Sequence, residues 1–175
     1  KVKNIFQELS VNLAVSSIIA NNTRGQIYVD KIKNPESALI WNEMTELFIS
    51  GKISDKVIEE IFILIKEKLI PKAIERYIPG FNIYYPSIEW KNKLESMFSN
   101  YKLKSIKRNY YEFNKEIYSL KQEKEDKLEL KEINCSLLNT EYKNINNLKG
   151  WINSFWRNCR EFEKKGIAYC LVKND

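Results

Sequence analysis

Gly25-Gln-Ile-Tyr-Val-Asp30, followed by Asn34-Pro35, Ser37-Ala-Leu-Ile-Trp41 and Glu46-Leu-Phe-Ile-Ser50-Gly51, is the stretch that decides the fold. It holds three short runs rich in branched and aromatic residues, which suit a pleated, half-buried backbone. Asn34-Pro35 separates the first two runs, and Gly51 closes the third. Connections this short join antiparallel neighbours, because a parallel pair needs a crossover of a dozen residues or more. The spacing therefore predicts an antiparallel meander over 26–30, 37–41 and 46–50.

Upstream, Ile5, Phe6, Leu9, Leu13, Val15, Ile18 and Ile19 mostly recur at helical spacing. This predicts one helix over 4–20, stopping at Asn21-Asn22. Downstream, Ser54 reads as a helix N-cap with Asp55 in the first turn, where the helix dipole favours negative charge. Val57, Ile58, Ile61, Phe62, Ile65 and Leu69 form the apolar stripe of that helix. Pro71 is expected to kink or end it. Pro79-Gly80 turns the chain into a fourth strand, 81–85. Pro86-Ser87 then opens a helix carrying Trp90, Leu94, Met97 and Phe98. Partial alternation over 104–113 predicts a fifth strand.

Residues 115–126 are highly charged and read as a linker or surface helix. After it, 127–133 alternates cleanly as a strand. Helical stretches follow over 135–145 and 148–164, then Gly166 and a strand over 167–172. Asn174-Asp175 would begin a hairpin turn. A chain ending there leaves a strand at a sheet edge, so edge pairing or homodimerisation is expected.

The chain has 175 residues, with 43% hydrophobic and 30% charged, which fits a folded core. No apolar run approaches the length that spans a bilayer, and no leader pattern is visible, so a cytoplasmic protein is expected. The net charge of +6 comes from scattered Lys alternating with Glu; only Arg24, Arg76, Arg108, Arg157 and Arg160 are arginines. Nucleic-acid readers concentrate arginine, so a nucleic-acid partner is not expected. Histidine is absent, which removes Ser-His and Cys-His catalysis from these residues. Cys135, Cys159 and Cys170 show no paired spacing, and free thiols are favoured over a disulfide or a metal site.

The order helix, three strands, helix, strand, helix, strand resembles a GNAT acetyltransferase domain without its first strand. Residues 127–172 resemble the beginning of a second such domain. The runs Gly25–Asp30, Asn34-Pro35 and Ala38–Asn42, with Trp90, Tyr110-Tyr-Glu-Phe113 and Phe162–Cys170, resemble the bacterial GNAT subfamily that includes zwittermicin-A-resistance-like proteins. The resemblance implies an α+β fold, a GNAT-like mixed sheet flanked by helices. It implies a degenerate first unit (1–114), a linker (115–126) and the incomplete opening of a second unit (127–175).

The activity implied is N-acetyl transfer from acetyl-CoA to the amine of a small molecule. The family holds the cofactor on a Gln/Arg-x-x-Gly-x-Gly/Ala turn that opens a helix after its fourth strand, where bare N–H groups attract the pyrophosphate. The first unit has Ile49-Ser-Gly-Lys-Ile-Ser-Asp55 there instead, with one glycine and a repelling aspartate. In the second unit the turn would lie beyond Asp175, so no cofactor-binding residue is expected among these residues. The chain is accordingly expected to be truncated and inactive alone. A non-catalytic GNAT-shaped binding module is the alternative reading.

No catalytic residue or general base is assigned. Glu161 and Glu163 fall where family members often contact the acceptor, although solvated carboxylates at a helix end are the favoured reading of both, and Trp156 is a further candidate to line the substrate pocket. Trp90 and Trp151 sit on apolar helix faces and are expected to pack in cores.

Overall fold

The structure, a computed structural model, describes residues 1–111, 114 and 128–173. It divides into two compact units, Lys1–Ser105 and Ile106–Asp175. The expected linker at 115–126 and the turn at Asn174-Asp175 lie outside the described residues.

The first unit is built on a four-stranded mixed sheet in the order β1-β2-β3-β4. The strands are β1 (Gln26–Val29), β2 (Ser37–Trp41), β3 (Glu46–Gly51) and β4 (Asn82–Tyr84). β1, β2 and β3 form the antiparallel meander, and β4 joins β3 in parallel. Every residue of β2 is buried, as are Leu47 to Ser50 of β3. Both strands lack a polar alternation because both faces of the sheet are covered. On one face Leu39, Trp41, Leu47 and Ile49 pack against Ile61, Ile65, Leu69, Trp90, Leu94 and Phe98. On the other, Ala38, Ile40 and Phe48 pack against Phe6, Leu9, Val15 and Ile18.

The N-terminal segment is a broken helix. α1 (Val2–Ile5), a 3-10 turn (Gln7–Leu9) and α2 (Leu13–Ile19) replace the single expected helix. Asn12 interrupts it: its side chain accepts the Ala14 N–H at 3.0 Å and caps α2. Phe6 and Val15 still reach the same cluster, so the apolar pattern survives the break.

α3 (Asp55–Ile63) begins at Ser54, whose Oγ accepts the Val57 N–H at 3.3 Å. It runs into a π-helical stretch (Leu64–Leu69) and then α4 (Ile70–Glu75). Of the two expected outcomes, ending the helix is not realised: the helix continues past Pro71 to Glu75, and the local distortion is the π-helical stretch just before it. Pro71 occupies the first turn of α4, and the widened turn before it makes room where a proline ring would meet the preceding carbonyl. α5 (Ile88–Met97) opens on Ser87, whose Oγ accepts the Trp90 N–H at 3.3 Å.

The expected fifth strand at 104–113 does not form. Residues 102–111 adopt neither helix nor strand, and Ile106 and Tyr110 are exposed. Alternation without a neighbouring strand to pair with does not make a ladder. Residues 112 and 113 lie outside the described residues.

The second unit pairs β5 (Leu128–Glu132) antiparallel with β6 (Tyr169–Lys173). Between them lie α6 (Cys135–Leu138), α7 (Ile145–Phe155) and α8 (Cys159–Lys165). The helices expected over 135–145 and 148–164 thus become three. Asn158 caps α8 by accepting the Glu161 N–H at 2.9 Å, so the chain breaks before it. Ile133, Leu137, Leu138, Ile145, Ile152 and Phe162 form this unit's own core. Trp151, expected in a core, is 58% exposed and meets Phe155 edge-on at the surface. No described helix is long and apolar enough to cross a membrane.

Candidate functional site

β3 and β4 run in register from Glu46 beside Asn82 to Phe48 beside Tyr84. β3 then continues to Gly51, whereas β4 stops. Past this point the two chains part and leave an open cleft of about 890 Å³. Its walls are Ser50 to Ile53 from the end of β3, Pro86, Ser87, Glu89 and Trp90 at the start of α5, and Asn4, Ile5, Gln7 and Glu8.

The groups around the cleft are largely committed to the fold. The indole N–H of buried Trp90 donates to the Gly51 carbonyl at 3.2 Å. Ser50 Oγ donates to the Ile5 carbonyl at 2.6 Å. The Lys52 N–H donates to the Glu36 carbonyl at 2.9 Å. Gly51 itself has φ 106°, and a Cβ there would run into the Glu36 carbonyl oxygen and lie 2.7 Å from Ser37 Cα.

At the start of α3, Ser54 supplies the cap and Asp55 brings a carboxylate. Lys93 on α5 holds Asp55 at 2.8 Å. The hydrogen bond from Lys93, and then its charge, keep the Asp55 carboxyl below the usual aspartate range. The same bond raises Lys93 above the usual lysine range. The helix entrance after β3 is thus capped by its own hydroxyl and occupied by its own ion pair.

In the second unit the three acceptor candidates have separate surroundings. Trp156 is half-buried and meets Phe162 edge-on, 5.8 Å between ring centres. Glu161 lies 3.9 Å from Arg157. Glu163 accepts the backbone N–H of Cys135 at 2.6 Å. Residues two apart on a helix do not face each other, so α8 does not bring Glu161 and Glu163 together.

Cys135 and Cys159 are joined by a disulfide, which corrects the expectation of three free thiols. The pair is 24 residues apart in sequence and no local motif marks it. The core around Leu137, Leu138 and Phe162 brings α6 and α8 together and sets the two Cα atoms 5.7 Å apart. Cys170 is a free, half-buried thiol. The two sulfurs and a Glu163 carboxylate oxygen lie within 4.8 Å of one another. With the sulfurs bonded, neither is a thiolate for a metal.

Residues 3–175 match the family model described as GNAT acetyltransferase. The chain belongs to the GNAT acetyltransferase family. The match takes in both units, and the mixed sheet flanked by helices is consistent with a GNAT-like fold. Family membership carries an acetyltransferase-type function in general terms. No curated protein matches the chain. Within the GNAT frame, the parting of parallel β3 and β4 sits beside the helix entrance where the family's phosphate-gripping turn is expected. Here that entrance carries Ser54 and Asp55.

Proposed function

We propose that the protein transfers an acetyl group from acetyl-CoA to the amine of a small molecule, and that its first unit takes part without gripping the cofactor. The start of α3 carries the second half of this reading. Ser54 already takes up an N–H of the first turn, and Asp55 sets a negative charge there, held by Lys93. A pyrophosphate would have to displace the cap and face that charge. The cleft beside it is left to shape or hold a partner of another kind.

The chemistry asks for a neutral amine that attacks the thioester carbonyl. The C–N bond forms, the C–S bond breaks, the CoA thiolate leaves, and the amine's proton passes to a base. No residue here is given the role of base. Glu161, Glu163 and Trp156 are proposed for the acceptor side as separate contacts, not as one cluster. A carboxylate attracts the amine in its ammonium form, Trp156 offers an apolar ring, and Glu163 acts while it accepts the Cys135 N–H. The 3.9 Å Glu161–Arg157 pair is loose enough to open for such a ligand.

A non-catalytic GNAT-shaped binding module is the second reading, and the filled entrance of α3 favours it too. Calorimetric titration of residues 1–175 with acetyl-CoA tests the first unit. No saturable heat is expected, and tight stoichiometric binding would overturn the reading. Thiol release from acetyl-CoA by a polypeptide containing these residues, dependent on added amine, supports transfer. Amine binding with no thiol release identifies the module.

A further inference from the structure

We propose that Cys135 and Cys159 form a reversible thiol–disulfide exchange site whose closure pins α8 to α6. Three observations carry it. The Cα separation of 5.7 Å lies within the range that a disulfide bridges without backbone movement. Both cysteines are partly exposed, so a thiolate from solution can reach the bond. The core of Ile133, Leu137, Leu138 and Phe162 joins α6 and α8 independently of the sulfurs. The unit therefore keeps its packing with the bond open, and the bond can form and break within the folded state.

The oxidant is a small-molecule disulfide of the glutathione class. One protein thiolate attacks it, forming a mixed disulfide and releasing one small thiol. The second protein thiolate attacks the protein sulfur of that mixed disulfide and displaces the other small thiol. Two protein thiols are oxidised, one disulfide is reduced, and the two protons pass to the released thiols. The closed bond ties the first residue of α6 to the first residue of α8. It restrains the segment from Trp156 to Glu163 as a consequence. The inference does not depend on the role proposed for that segment.

The test equilibrates the folded 175-residue chain in glutathione buffers from reducing to oxidising, traps thiols by alkylation and maps the peptides. The expected oxidised form has lost two hydrogens and carries a Cys135–Cys159 link with Cys170 alkylated. Excess reduced glutathione reopens it with the circular dichroism unchanged. Hydrogen exchange of α8 amides is expected to be several-fold slower in the oxidised state. Comparing the two redox states of the unmutated chain needs no variant to fold. Cys170→Ser is expected to preserve the behaviour. A link through Cys170, a bond that opens only in denaturant, thiols that stay reduced throughout, or stoichiometric zinc retained by the reduced chain would each overturn the proposal.

Discussion

Gly51 closes β3 at φ 106°, a conformation that side-chain-bearing residues rarely adopt. Its missing side chain lets the Glu36 carbonyl approach and accept from Lys52, and its own carbonyl receives the Trp90 indole. Gly51→Ala is expected to cost about 2–4 kcal/mol, from backbone strain and collision with a neighbouring backbone that cannot move cheaply. Urea unfolding reads this as a lower midpoint at unchanged slope. Asn42 works by hydrogen bonding in the neighbouring turn. Buried, it accepts from the Met44 and Glu46 N–H groups at 2.9 and 3.0 Å, while Glu43 takes a positive φ. The sequence marks Gly51 as a terminator, and Ser54 as a cap is equally plain. Cys135 and Cys159 were not legible in the same way. Their pairing depends on a distance that the core of the second unit sets, and 24 residues of sequence do not encode it.

Between elements, the contact of α3 with α5 through Asp55 and Lys93 has a definite pH signature. Asp55 is held below its ordinary range, so its contribution is present above that range and is lost as pH falls through the depressed value. Lys93 is held above its ordinary range, so its contribution is present below that range and is lost as pH rises through the raised value. The link therefore acts at neutral pH and fails at both extremes. Both groups lie at the surface, so the effect is small and weakened by salt. Thermal midpoints of the unmutated chain and Asp55→Asn are expected to differ slightly at neutral pH and to converge in acid. A constant gap down to low pH would contradict this. β2 was legible residue for residue, because its apolar run is bounded by turn signals on both sides. The path through Pro71 was not, since a local rule for proline cannot foresee a widened turn held by Ile65 and Leu69 in the core. The alternation over 104–111 misled in the opposite direction, for want of a partner strand.

Across the molecule, each unit carries its own core, and the first has two clusters separated by the sheet. Leu39 to Trp41 and Leu47 to Ile49 lie in the central strands with both faces covered. Their amides are expected to exchange most slowly in the first unit, and those of β1, the edge strand, much faster. Equal protection of β1 and β2 would contradict the layered core described here. Amino-acid order alone determined the α+β class, the meander, the cap at Ser54, the helix opening at Pro86-Ser87, and the likeness to the GNAT family. The meander, the cap and the helix opening rest on periodicity and on turn chemistry, which act between residues close in sequence. The α+β class and the family likeness rest on the resemblance of these runs and their order to GNAT domains. Tertiary packing decided the parting of β3 from β4, the exposure of Trp151, the separate surroundings of Trp156, Glu161 and Glu163, and the joining of Cys135 to Cys159. Each of these is a distance between segments remote in the chain or a share of solvent left over after packing, and neither quantity exists until the cores have closed.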